Sequence, residues 1–237
     1  MILIKNINII DGTGRPPFKR DILIKDDRIS AIGIFPNKQA EEIIDGLGLT
    51  AVPGFIDVNS DSDHYLGLFT NPSQDDFLLQ GVTTIIGGHC GSSLAPLLYG
   101  SLKSIRKWAD PNEVNVDWRT IAELKNVLRR IGIGVNFATL IGHSTIRRDL
   151  IGEEIRDLTE TEMEIFHQTI GQAMDGGALG FSTGLGYAHS RNVSYLEIKK
   201  LLKTVAKHGG IYTSHLRDEK KDIAKSVEEI TRLSEEA

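Results

Sequence analysis

The side chains best suited to chemistry here are one cysteine and several histidines, each following an apolar run. Cys90 lies in Gly87-Gly88-His89-Cys90-Gly91, where the glycines let the backbone turn sharply. His215 ends Tyr212-Thr213-Ser214-His215, and His143 sits in Gly142-His143-Ser144-Thr145. Thiolate and imidazole are donors that zinc takes readily, and a catalytic zinc keeps one coordination position open. Cys90 and His215 are therefore the leading ligand pair, set against the alternatives of a buried core cysteine and a satisfied core histidine. His143 has the options of ligand, base or oxyanion donor, or of a loop histidine bonded to backbone. A second polar cluster, Asn59-Ser60-Asp61-Ser62-Asp63, follows Phe55-Ile56-Asp57-Val58 without a break. Asp61 in it has the oxygens for a metal, whereas Asn59 is a poor zinc ligand. Arg217 either caps the last helix or turns toward an anionic substrate, since guanidinium suits carboxylates. His89 reads as a turn residue, His189 as either a turn residue or a functional one, Asp57 as a strand-end hydrogen bonder, and His64, His167 and His208 as structural or surface residues.

These groups need elements to position them. Over residues 1–52 the chain carries short β-branched runs, Ile2-Leu3-Ile4, Ile7-Asn8-Ile9-Ile10, Ile22-Leu23-Ile24 and Ile29 to Ile32, with Asp11-Gly12 and Asp26-Asp27 as turns. That spacing predicts a small antiparallel unit. After residue 53, strands alternate with helices. Thr120…Glu123, Thr159…Glu162 and Ser194…Glu197 match the capping box, and Gly132, Gly176-Gly177 and Gly209-Gly210 supply helix stops. Apolar runs at Phe55–Val58, Thr83–Ile86, Val135–Ile141, Ala178–Phe181 and Ile211–Thr213 predict parallel strands covered by helices.

Two architectures fit such alternation, a doubly wound open sheet and a (β/α)8 barrel. Nearly every predicted strand ends in a chemically capable residue: Asn59 and Asp61, His89-Cys90, His143, Ser182-Thr183, His215. That pattern belongs to a barrel mouth. No GxGxxG or Walker-type loop follows the first strand, which weakens the nucleotide-binding alternative. The expected fold is thus α/β: an incomplete (β/α)8 TIM-type barrel of about five of the eight strands over 53–237, preceded by part of a small β-sandwich over 1–52.

Composition excludes several function classes. The 237 residues are 40% apolar and 25% charged, ordinary for a soluble globular protein. A net charge of −5 without a Lys/Arg-rich run argues against nucleic-acid binding. A single cysteine excludes an internal disulfide and fits a reducing compartment. No signal peptide and no membrane-length apolar window is present, so a cytoplasmic location is expected.

The motifs VPGFIDVNSDSD (52–63), QGVTTIIGGHCGSSLAP (80–96), LIGHSTIRRDLIG (140–152), GALGFSTGLGYAHS (177–190) and YTSHLRDE (212–219) occur in an order and spacing that resemble the D-aminoacylase (N-acyl-D-amino-acid deacylase) family of metal-dependent amidohydrolases. The resemblance runs along the whole chain. It implies a barrel with a composite sandwich, a zinc cofactor, and hydrolysis of the N-acyl amide bond of an N-acyl-D-amino acid. By position, Cys90 and His215 match two ligands of the family's tightly held zinc, and Tyr187 matches a residue implicated in holding the substrate carboxylate. His143 and Arg217 are further substrate-binding candidates. A dihydroorotase- or hydantoinase-type enzyme is disfavoured, because the fourth strand, Ala178-Leu179-Gly180-Phe181-Ser182-Thr183, lacks the lysine those enzymes place there.

Two departures from the family pattern shape the expectation. Asn59, Ser60 and Asp61 stand where the family has His-x-His, ligands of a weaker second site. The third tight-site histidine and the general-base aspartate are expected beyond residue 237. The chain alone is therefore expected to be inactive, and to need an oligomer or a complementing C-terminal chain. The alternative is a non-catalytic scaffold or binding protein that keeps the amidohydrolase fold.

Overall fold

The computed structural model describes residues 1–237, which divide into two compact units, Met1–Phe55 and Ile56–Ala237.

The first unit is built on strand β1 (Ile2–Ile9), flanked by β2 (Phe18–Lys25), β4 (Glu42–Asp45) and β5 (Thr50–Ala51), with β3 (Arg28–Gly33) outside β2. The β1–β2 and β2–β3 pairs are antiparallel, as the turn spacing predicts. The β1–β4 and β1–β5 pairs are parallel, so the unit is mixed. The two apolar runs read separately within 1–10 form one strand, bent where the register shifts between Ile4 and Ile7. Asn6 takes a left-handed conformation there (φ 57°). Asp21 secures the bend: its carboxylate accepts from the Asn6 and Phe35 amides, both at 2.9 Å, and these bonds hold its pKa down. The core is small, Ile7, Ile9 and Ile22 with Ile4, Phe18, Ile24 and Ala51 packed on it.

The second unit holds parallel strands separated by helices. They are β6 (Phe55–Asp57, beginning at the unit boundary), β7 (Val82–Gly87), β8 (Asn136–Thr139), β9 (Ile141–Gly142), β10 (Gly180–Gly184) and β11 (Ile211–His215). Strand β7 lies between β6 and β8, and β10 lies between β9 and β11. Only Leu140 separates β8 from β9, so the predicted strand over 135–141 is one chain segment that changes neighbours midway. The Leu140 amide still donates to Gly87 O at 3.0 Å, and the Leu179 amide to Thr139 O at 2.9 Å. Neighbours thus follow chain order without reversal. A doubly wound sheet reverses its order at a switch point, so that alternative does not describe this unit.

After two single-turn helices, α1 (Gly67–Thr70) and α2 (Asp75–Leu78), the helices that matter for the site are α3 (Ile121–Ile131), α4 (His143–Ile151), α5 (Glu160–Asp175), α6 (Tyr195–Lys207) and α7 (Ile223–Glu235). Thr120 and Thr159 form reciprocal capping boxes with Glu123 and Glu162. Ser194 accepts from the Glu197 amide at 3.2 Å, but Glu197 does not return the bond. Its carboxylate is used in the interior instead. One core, including Ile85, Leu124, Ile141, Phe166, Phe181 and Leu201, fills the space between sheet and helices. No helix is long and apolar enough to cross a membrane.

Candidate metal and substrate site

Chemically capable residues gather where β7, β10 and β11 end. Beyond β7 the chain turns through Gly88 (φ 76°), His89, Cys90 (φ 55°) and Gly91 (φ 76°). A Cβ on Gly88 would overlap the Leu140 carbonyl, so this loop packs where a side chain cannot. Cys90 is a non-glycine residue held in the left-handed region, a conformation that costs about 1–3 kcal/mol and persists only where surrounding structure enforces it.

Tyr187 is the centre of the cluster. The His215 ring stacks on it with centroids 4.6 Å apart, and the His189 ring lies at 6.0 Å. Its hydroxyl lies against the Cys90 thiol. Burial and the adjacent sulfur push the Tyr187 pKa up, so the phenol keeps its proton at neutral pH. Burial also raises the Cys90 pKa; the nearby Lys107 charge acts in the opposite direction. Lys107 Nζ sits 3.1 Å above the Tyr187 ring centroid and 3.8 Å above that of Trp108, a cation–π arrangement. The desolvated ammonium has its pKa lowered to about 8. His215 is half-buried, with Glu219 Oε1 3.8 Å from its Nε2. Cys90 and His215, from the ends of two different strands, thus converge on one ring.

The other predicted residues are placed elsewhere. His143 is fully buried; its Nε2–H donates to Glu197 Oε1 at 2.8 Å, and it packs against Phe166 and Phe181. Arg147 donates to the same oxygen at 3.1 Å. Burial holds His143 below its usual pKa. The interior network takes up its one donor, so His143 belongs to the core beneath the site. Arg217 is likewise engaged by protein partners. It pairs with Glu229 of α7 at 2.7 Å and donates to the Arg191 and Val193 carbonyls, so it ties α7 to the loop after β10. The backbone N–H of Asn59 donates to Asp57 Oδ1 at 3.0 Å. One oxygen of Asp61 is taken by His64 Nδ1 at 2.9 Å, and this bond holds the Asp61 pKa down.

Residues given no chemical role from sequence complete the picture. His64 is fully buried, stacked on Trp108 at 4.1 Å, and donates from Nε2 to Ser92 O at 2.9 Å. Asp63, also fully buried, accepts the Gly88 amide at 2.6 Å. His89 is buried, with Nε2 unpartnered and its pKa lowered by burial. The only sequence signal for the Asp63-His64 pair was its position behind a strand end. Lys107 lies in a loop and gave none.

The donor set fits zinc in kind, a thiol and an imidazole, but no group of three or more His, Cys, Asp or Glu is arranged to hold a metal ion.

A scan of protein-family models finds none that matches the chain. Over 235 residues it is 33% identical to a D-aminoacylase of Alcaligenes xylosoxydans xylosoxydans, covering 99% of this chain and 48% of that protein. A crystal structure of D-aminoacylase, described as defining a novel subset of amidohydrolases, superposes with a TM-score of 0.86 at 30% identity, over 99% of this chain and 49% of that one. The N-acyl-D-glutamate deacylase of Bordetella bronchiseptica, solved with zinc and a phosphonate mimic of the tetrahedral intermediate, gives 0.85 at 30% identity, over 98% and 48%. The chain spans about half the length of the curated relatives it matches. In sequence and in fold the chain is thus similar to about half the length of D-aminoacylases and N-acyl-D-amino-acid deacylases, which are amidohydrolases.

Proposed function

We propose that this chain is the zinc-bearing N-terminal portion of an amidohydrolase that cleaves the amide bond of N-acyl-D-amino acids, and that its parallel strands are the first part of a (β/α)8 barrel. The carrying observation is the convergence of Cys90 and His215 on Tyr187. The chain-order sheet supports the barrel, because a barrel is wound in one direction. Ile56, Val58 and Ile211, on or just beyond the outer strands, are more than half exposed, as expected of strands that gain further neighbours.

Cys90 and His215 would hold the metal. Bound zinc polarises an amide carbonyl and lowers the pKa of water. The remaining work falls to the chain's own residues. Tyr187 keeps its proton and can donate to a substrate carboxylate, and Lys107 places a positive charge beside it. The short supply of donors is the one observation that favours a non-catalytic binding protein with this fold.

Metal analysis of the purified chain separates the two. The parent is expected to retain zinc through dialysis, and Cys90→Ala and His215→Ala are expected each to weaken it by about 100-fold or more, beyond the loss typical of outer-shell partners. A parent that holds no zinc would sink the metal reading. The chain alone is expected to turn over no N-acetyl-D-amino acid, and measurable turnover with added zinc would refute that part.

A further inference from the structure

Two buried side chains, Asp63 and His64, bracket the loop that carries Cys90. Asp63 Oδ2 accepts the amide of Gly88, two residues before Cys90, at 2.6 Å. His64 Nε2 donates to the carbonyl of Ser92, two residues after it, at 2.9 Å. The other His64 nitrogen faces Asp61 Oδ1 at 2.9 Å. A carbonyl and an ionised carboxylate offer no proton, so both ring nitrogens must carry one, and His64 is an imidazolium. Asp63 Oδ2, 4.0 Å from Nε2, supplies a second negative charge. The Trp108 face closes the ring at 4.1 Å. Asp63 is also pressed against Gly87, where a Cβ would lie 2.7 Å from Oδ2 and 2.9 Å from Oδ1, and its buried Oδ1 has no hydrogen-bond partner.

We propose that Asp61, Asp63 and His64 form a closed ion cluster in which the imidazolium occupies the place of a divalent cation, and that the cluster's task is to position Cys90. These carboxylates would otherwise invite a metal. Here the protein supplies its own positive charge and spends the cluster's bonds on the two ends of a loop whose central residue has φ 55°. Asp63 and His64 are positioning residues, acting through the loop.

The test has three readouts, and only the metal arm leans on the reading of Cys90 as a zinc ligand. First, equilibrium dialysis of Cys90→Ser with zinc and with manganese is expected to find no bound ion. An ion that stays on Cys90→Ser and is lost on adding Asp61→Asn overturns the closed cluster. A parent chain without zinc would count against the proposed function, while the next two readouts still decide the cluster. Second, 15N-resolved NMR of the histidine rings is expected to show both His64 nitrogens protonated; a neutral ring overturns the assignment. Third, the rate at which Cys90 reacts with an aromatic disulfide is expected to rise several-fold in His64→Asn, and an unchanged rate in a folded variant overturns the positioning role. If His64→Asn fails to fold, Asp63→Asn keeps an acceptor for Gly88 and is read by the same thiol reaction.

Discussion

Two polar clusters lie close together in the second unit and are built on opposite plans. Around Tyr187, groups are adjacent but largely unbonded: a free thiol, a half-buried imidazole and an ammonium resting on aromatic faces. Around Glu197, one carboxylate binds both His143 and Arg147, and all three are buried. Burial alone would raise the Glu197 pKa, but the two partners bring it below the usual value. The first arrangement leaves chemical capacity unspent, as a site for a metal and substrate must. The second commits its donors to the fold and leaves only His143 Nδ1 without a partner. Histidine in a polar motif therefore does not mark function by itself; the test is whether its partners come from the protein.

The sharpest way to probe this contrast is Glu197→Gln. The buried Arg147 would lose its neutralising charge, which typically costs about 3–5 kcal/mol. For a unit of this size the melting temperature should fall by roughly 10 °C. Zinc affinity of the folded fraction should be unchanged. A marked loss of zinc affinity at retained stability would show that the two clusters are one. Arg217 gives a smaller effect of the same kind. Arg217→Ala removes the Glu229 pair and two carbonyl contacts, and should cost about 1–2 kcal/mol in denaturant unfolding. Binding of an N-acyl-D-amino acid to the folded variant should not change, and a specific loss of binding would return Arg217 to the substrate.

What could be read from sequence follows the range of the forces involved. Local rules worked where local chemistry decides. Thr120 and Thr159 cap their helices with Glu123 and Glu162 as spacing predicts, because both partners sit within one turn. Ser194 and Glu197 have the same spacing, yet Glu197 turns inward, since a buried His143 and Arg147 outbid an exposed amide. The apolar runs located every strand of the second unit, while the parallel pairing of β4 and β5 on β1 is a long-range choice that hairpin spacing does not encode. At the site, Cys90 and His215 were visible as strand-end residues of distinctive chemistry, and Tyr187 only through the family resemblance. The roles of His64 and Lys107 depend also on neighbours distant in sequence, Ser92 for one and Tyr187 for the other.

Lys107 offers the smallest and most specific test of the open cluster. As a residue it is exposed, yet its ammonium rests between two aromatic faces and no carboxylate pairs with it. Desolvation lowers its pKa from 10.5 to about 8, so the unfolded chain binds this proton more tightly than the folded one. Stability must then rise with pH wherever the unfolded state holds more protons, between about pH 8 and the unfolded value. Below pH 8 both states are charged and the folded state carries the full penalty. Lys107→Met keeps a long apolar stem over Trp108 and Tyr187 without the charge. It should be slightly more stable than the parent at pH 7, and the rise between pH 8 and 10 should disappear from its unfolding curves. If the parent shows no such rise, or the variant keeps it, another group is responsible. The ammonium would then be solvated as an ordinary surface lysine, and the cluster around Tyr187 would lose its unspent charge.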